Sequence, residues 1–121
     1  MKSRIQSFVH AFAGLQAALK TQPNLRIHVV ATLLAIGFSI YFELKTFQWL
    51  FVLSAVALVW IAELLNTAIE GLCDLYSSDF NPKIKFIKDV AAGAVLIAAM
   101  YALGVACFIF IPKITQLWTS I

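Results

Sequence analysis

The sequence has too little charge for the surface of an ordinary soluble protein. Charged side chains make up 12% of its 121 residues and hydrophobic side chains 62%, against roughly 45–50% apolar residues in soluble domains. A soluble globule of this size buries too little of its surface to hide that excess. The net charge of +3 is too small and too dispersed to indicate nucleic-acid binding. It suits a surface that faces anionic lipid headgroups, so the composition predicts a single-domain membrane protein.

Several common functional signals are also missing. Cys73 and Cys107 lie far apart without metal-ligand spacing, and we expect both to be reduced helix residues. The sequence contains neither a GxxxxGK[ST] loop nor a kinase-type glycine loop, so a nucleotide site would be of another kind. The first long apolar run begins only after Arg26, and we therefore expect no secretory signal at the N-terminus.

In the segment 1–22, large apolar side chains recur with helical periodicity between residues 5 and 19, where they cover a sector of about 120°. This pattern predicts an amphipathic helix in the membrane interface, and packing of the same face against the protein is a compatible alternative. Pro23 should end this helix, because proline removes a backbone donor and restrains the preceding residue.

Three apolar runs follow, and each is close to the length that a bilayer core of about 30 Å requires. A polar stretch over 76–88 separates the last two runs, and we expect it to be a loop. The runs thus predict an all-α fold with three membrane helices at about 25–42, 47–74 and 88–111.

The basic residues predict the orientation of these helices. Seven lysines and arginines precede the first span or lie between the second and third, whereas two lie on the other side. By the positive-inside rule, the N-terminus and the 76–88 segment should be cytoplasmic. The third span also carries a stripe of small residues that would allow close packing between subunits, although alanine is common in membrane helices. The stripe consists of Ala94, Ala98, Ala102 and Ala106.

Three carboxylates occupy one face of the second span. Glu63, Glu70 and Asp74 fall within about 40° of one another on a helix, and Asn66 lies about 60° to one side of Glu63. Counted from Phe47, Glu63 lies about 24 Å along a core of about 30 Å, roughly one turn inside the cytoplasmic boundary. An intramembrane carboxylate is costly and indicates a functional site, although a neutral or paired structural group is the alternative.

More charges are expected at the same cytoplasmic rim. Oxygen ligands suit Mg²⁺, and lysines suit phosphate. Phosphoryl transfer requires a metal ion and cations near the phosphates, together with a group that orients the attacking hydroxyl. The residues predict a polar site at the interface without by themselves establishing a kinase. These rim charges are Asp79, Lys83, Lys85, Lys88 and Asp89.

The spacing of these residues resembles a known family. The pattern Glu63-xx-Asn66-Thr-Ala-Ile-Glu70-xxx-Asp74 is followed by Lys88-Asp89-Val-Ala-Ala-Gly-Ala-Val-Leu. It is similar to the signature of the small prokaryotic diacylglycerol kinases and undecaprenol kinases, and the resemblance extends over nearly the whole chain. It implies a homotrimer in the bacterial cell membrane that shares active sites between subunits and uses MgATP to phosphorylate undecaprenol or diacylglycerol.

The resemblance also implies roles for individual residues. Glu63 would be the general base, and Glu70 would bind Mg²⁺. The segment 24–28 would lie where the lipid approaches the site, and it comprises Asn24, Leu25, Arg26, Ile27 and His28. The residues implied to support or contact the nucleotide are Asn66, Asp74, Asp79, Phe80, Asn81, Lys88 and Asp89.

One departure from the family pattern concerns the metal. Gln22 stands where the family usually has a glutamate as second metal ligand, and an amide contributes no negative charge, so we expect weaker Mg²⁺ affinity. A scaffold that has lost activity is therefore one alternative function. A proton- or ion-conducting oligomer is another, but between Phe47 and Ala62 the only non-apolar side chains are Gln48 and Ser54, which argues against a polar path.

Overall fold

Four helices account for nearly all of the chain. The computed structural model describes residues 2–121, and Met1 and the side chain of Lys2, which belong to the predicted interfacial segment, lie outside the described part. Three of the helices are long and apolar enough to cross a membrane, which confirms the predicted all-helical architecture. The helices are α1 (Lys2–Thr21), α2 (Pro23–Tyr41), α3 (Thr46–Tyr76) and α4 (Pro82–Thr119).

The junction between α1 and α2 consists of a single extended residue, Gln22, with φ −110° and ψ 107°. Pro23 then opens α2, because its fixed φ suits a first helical position that needs no N–H donor. The guanidinium of Arg26 donates to the backbone carbonyls of Leu19, at 3.0 Å, and Lys20. These carbonyls lack partners at the end of a helix, where a cation is also favoured. Arg26 thereby ties the end of α1 to the first turn of α2.

A tight turn joins α2 to α3. Glu43 adopts the left-handed conformation with φ 50°, which is unfavourable for a residue with a Cβ atom. The N–H of Leu44 donates to the carbonyl of Ser39 at 3.1 Å, and the Leu44 side chain is buried beside Val52 and Ile109. Burial of Leu44 therefore holds the turn in a conformation that the backbone alone disfavours.

The prediction of a loop over 76–88 is wrong for most of that range. α4 begins at Pro82 and only residues 77–81 connect it to α3. The reason is local, because the side-chain oxygen of Asn81 accepts a hydrogen bond from the Lys83 N–H at 2.9 Å. Asparagine at the N-cap followed by proline at the first position favours a helix start, and this preference outweighs the polarity of the segment.

α4 also extends beyond the predicted end at residue 111. It continues through Pro112 to Thr119. A proline inside a helix forfeits the backbone hydrogen bond to the residue four positions earlier, here Phe108, and membrane helices tolerate this loss when the surroundings compensate for it. α2 and α3, by contrast, begin and end within two residues of the expected bounds.

The helices pack in chain order, with α1 on α2, α2 on α3, and α3 along α4 over the longest interface. The inward face of α3 combines apolar residues with two polar ones, so Glu63 belongs to the packing surface rather than to an outer face. With 31 residues, α3 is about 46 Å long and exceeds a bilayer core of about 30 Å. The buried residues of this face are Val52, Ala55, Val59, Glu63, Asn66 and Cys73.

Removal of the α4 cap should loosen the start of that helix. Asn81→Ala leaves the Lys83 N–H without its partner, and an N-cap residue contributes about 1 kcal/mol. We expect the amide protons of residues 83–85 to exchange about fivefold faster in detergent micelles, as measured by hydrogen–deuterium exchange. Asn81→Ser, which retains a capping oxygen, is the control. Equal exchange in the alanine variant and in wild type would contradict this role of Asn81.

Candidate active site

Glu63 lies inside the helix bundle with 4% of its surface exposed. α2 brings His28 to face it across the α2–α3 interface, with Nε2 of His28 3.9 Å from Oε2 of Glu63. This distance is too long for a direct hydrogen bond. The carboxylate therefore has one polar neighbour from another helix, and a hydroxyl that enters between them could contact both side chains.

Asn66 and Glu70 form the next polar pair along α3. They are four residues apart and share a helix face, and Nδ2 of Asn66 donates to Oε1 of Glu70 at 3.0 Å. Oδ1 of Asn66 is buried and has no hydrogen-bond partner among the described residues. A buried acceptor left in this state is costly, so this oxygen is available to a ligand that approaches Glu70.

A third pair links α3 to α4 at the end of the site. Nζ of Lys88 donates to Oδ1 of Asp74 at 2.7 Å, and Lys85 pairs with Asp89 within α4. Lys85, Asp89 and Asp74 are exposed, and Lys88 is half-buried. Asp74 lies eleven residues beyond Glu63, about 16 Å along the helix axis. Within one chain, Lys88 therefore reaches the outer end of the carboxylate row but not Glu63.

The five residues of the predicted lipid-contact segment 24–28 lie in different environments. Only His28 faces the Glu63 carboxylate. Leu25 is fully buried, Arg26 binds the end of α1, and Asn24 and Ile27 are exposed. This division follows from helix geometry, because five consecutive residues point in all directions around the axis.

The predicted nucleotide residues of the α3–α4 connection are remote from Glu63. The backbone N–H of Asp79 donates to the side chain of Ser77, Phe80 is exposed, and Asn81 caps α4. Gln22 lies at the α1–α2 junction and its side chain does not cap α2. Within residues 2–121, no three His, Cys, Asp or Glu side chains come together as a metal-binding group.

An apolar groove of about 350 Å³ lies beside the site, between α2, α3 and α4. His28 lies at its polar end, together with Thr32 and Trp60, and most of the remaining lining is aliphatic. Nε1 of Trp60 donates to Oγ1 of Thr32 at 2.9 Å. The sequence interpretation did not include Thr32 or Trp60. Their offsets of four residues from His28 and three from Glu63 were the available signal.

Several known proteins are similar to this chain in sequence. Residues 9–110 match the family model described as "Prokaryotic diacylglycerol kinase". An undecaprenol kinase of Bacillus subtilis is 34% identical over 109 residues, covering 90% of this chain and 89% of the relative. A diacylglycerol kinase of Synechocystis is 37% identical over 92% of this chain and 64% of the relative. The diacylglycerol kinase of Escherichia coli K12 is 31% identical, with coverage of 87% and 86%.

The Lys88–Asp74 pair should contribute little to folding. Exposed ion pairs gain little, because water and salt screen them and two long side chains must be ordered. Lys88→Gln and Asp74→Asn should each leave the thermal midpoint in detergent nearly unchanged, as followed by circular dichroism. Lys85→Gln, which breaks the other exposed pair, is the matched control. A large drop in the midpoint for Lys88→Gln alone would show that the pair is a structural link.

Proposed function

Because the chain belongs to the prokaryotic diacylglycerol kinase family, and is therefore a lipid kinase, we propose that it transfers the terminal phosphoryl group of ATP to the hydroxyl of undecaprenol or diacylglycerol. The reaction takes place at the cytoplasmic face of the bacterial cell membrane. The observation that supports this proposal best is that the buried Glu63 carboxylate faces His28, which in turn lines one end of an apolar groove.

Glu63 acts as the general base toward the lipid hydroxyl. It lies where the hydroxyl of an amphipathic lipid can reach it while the apolar body of that lipid stays in the membrane. Phosphoryl transfer through a loose transition state depends on positioning and electrostatics more than on a strong base. Glu63 therefore needs to hold the hydroxyl in line and accept its proton as the new P–O bond forms.

Glu70 and Asn66 fit a magnesium ion bound together with a nucleotide. Mg²⁺ commonly uses one or two carboxylates and completes its shell with phosphate oxygens and water, so a cluster of three acidic residues is unnecessary. The Glu70 carboxylate and the unpartnered Oδ1 of Asn66 supply oxygen atoms on one side of α3. When bound, the ion would neutralise the charge of the triphosphate. Gln22 offers a further, uncharged oxygen from the α1–α2 junction.

The remaining cytoplasmic residues contact the nucleotide. Lys88 provides a positive charge for phosphate, and Asp89 and Asp74 lie beside it. The connection that leads into α4 contains Asp79, Phe80 and Asn81. Binding of ATP would replace the Lys88–Asp74 pair with a contact between Lys88 and phosphate, which costs little because that pair is exposed.

A homotrimer completes the site. In one chain, Asp74 and the Lys88 bound to it lie about 16 Å along α3 from Glu63. A neighbouring subunit that packs on the small residues of α4 can place its own Lys88 and Asp89 nearer to Glu63. α1 lies in the membrane–water interface on the cytoplasmic side. Its exposed apolar side chains, among them Phe8 and Phe12, face the lipid.

Glu63→Gln should abolish most of the phosphoryl transfer. The substitution preserves size and removes the proton acceptor, and general-base catalysis contributes about 10²- to 10⁴-fold. Transfer of ³²P from ATP to undecaprenol and to diacylglycerol, by purified protein in mixed micelles, measures the loss and identifies the better acceptor. Glu43→Gln, in the turn that joins α2 to α3, is the matched control and should remain active. If Glu63→Gln matched wild type, Glu63 would not be the base.

Gln22→Glu should tighten the apparent affinity for Mg²⁺. A second carboxylate adds negative charge and a hard oxygen ligand, which Mg²⁺ prefers. We expect half-maximal activity at a lower Mg²⁺ concentration in a titration at fixed ATP, with Gln16→Glu on α1 as the charge-matched control. An unchanged titration curve would place residue 22 outside the shell of the metal.

A further inference from the structure

A hydrogen bond between α2 and α3 lies one helical turn from the His28–Glu63 pair, on the side away from Asp74. Nε1 of Trp60 donates to Oγ1 of Thr32 at 2.9 Å, and this hydroxyl donates to the backbone carbonyl of His28 at 2.6 Å. Thr32 follows His28 by four residues, and Trp60 precedes Glu63 by three. The two contacts are therefore stacked on the same pair of antiparallel helices, and the hydroxyl connects Trp60 to the turn that carries His28.

The surroundings of this hydrogen bond offer few alternative partners to the Trp60 N–H group. Hydrocarbon offers no partner to an indole N–H, so a donor inside the membrane is stabilised by an acceptor on a neighbouring helix. The α2–α3 interface is also much smaller than the α3–α4 interface. A single directional bond therefore contributes strongly to the rotation and register of α2 against α3.

We propose that Trp60 and Thr32 are positioning residues that hold His28 opposite Glu63 in the lipid kinase reaction, an inference that rests on the proposed role of Glu63. A small rotation of α2 would carry the imidazole away from the carboxylate, because the two groups lie 3.9 Å apart without a direct hydrogen bond. Misplacement of reacting groups lowers the rate of the chemical step more than it lowers binding of a remote substrate.

Three substitutions separate the bond from the bulk of its side chains. Trp60→Phe keeps an aromatic ring without the donor, Thr32→Val keeps the branched shape without the hydroxyl, and Thr32→Ser keeps the hydroxyl. In protein labelled with ¹⁵N-tryptophan in micelles, Thr32→Val should shift the indole resonance that Trp60→Phe removes. Thr32→Ser should leave it in place. An unshifted resonance in Thr32→Val would overturn the proposal, because the bond would be absent.

The kinetic result should match the spectroscopic one. Interhelical hydrogen bonds in membranes correspond to about a threefold to fifteenfold effect, so Thr32→Val and Trp60→Phe should each lower kcat by that factor and leave the KM for ATP unchanged. The double variant should resemble either single variant, because both remove the same bond. Thr32→Ser should restore kcat. Additive losses, or a shifted resonance with unchanged kcat, would overturn the positioning role.

A matched control is available in the same helix. Ser54 and Tyr101 form another interhelical hydrogen bond, at 3.2 Å between α3 and α4, nine residues from Glu63. Tyr101→Phe removes that bond and should leave kcat unchanged. If Tyr101→Phe lowered kcat as much as Trp60→Phe does, the Trp60–Thr32 bond would have only a general structural role. If Glu63→Gln is inactive while Thr32→Val is fully active, the positioning role fails alone. If Glu63→Gln is active, the proposed function fails first.

Discussion

A carboxylate inside a membrane is unfavourable unless the protein surrounds it with polar groups, and this constraint organises the bundle. Burial of an unpaired charge costs far more than an ordinary packing defect, so intramembrane acids face protein and mark functional sites. Glu63 lies on the inward face of α3, turned toward protein, where His28 from α2 is a polar neighbour. The α2–α3 contact, small in extent, is therefore the contact on which the proposed role of Glu63 depends.

The length of α3 distributes its polar residues over different surroundings. Glu63 is buried, Glu70 is half-buried, and Asp74 is exposed. This gradient suits the proposed roles, because a base for a lipid hydroxyl would lie at the buried end and groups for a water-soluble nucleotide at the exposed end. In the proposed reaction the phosphoryl group passes from a nucleotide in water to a lipid in the membrane. One continuous helix that is longer than the bilayer core can carry the residues for both substrates.

The sequence predicted features that depend on periodicity or on one residue's own chemistry. The shared face of Glu63, Glu70 and Asp74 follows from helix geometry, and the break at Pro23 follows from its missing N–H. The pairing of Trp60 with Thr32, 28 residues away, could not be predicted because nothing in the local sequence points to it. The hydrogen bonds from Arg26 back to the carbonyls of Leu19 and Lys20, seven and six residues earlier, depend on how α1 and α2 meet at Gln22, which periodicity does not specify. The early start of α4 was predictable in principle from the Asn81-Pro82 pair, but the polar composition of the segment masked that helix signal.

The most direct test of the account is a distance between His28 and Glu63 in a lipid bilayer. Solid-state NMR on protein labelled with ¹⁵N-histidine and ¹³C-carboxyl glutamate measures dipolar coupling between the imidazole and the carboxylate. Coupling to the Glu63 carboxyl carbon that disappears in His28→Gln but persists in His10→Gln is the predicted result, given the 3.9 Å separation of Nε2 and Oε2. Absence of that coupling in wild type would contradict the account, because Glu63 would then face something other than α2.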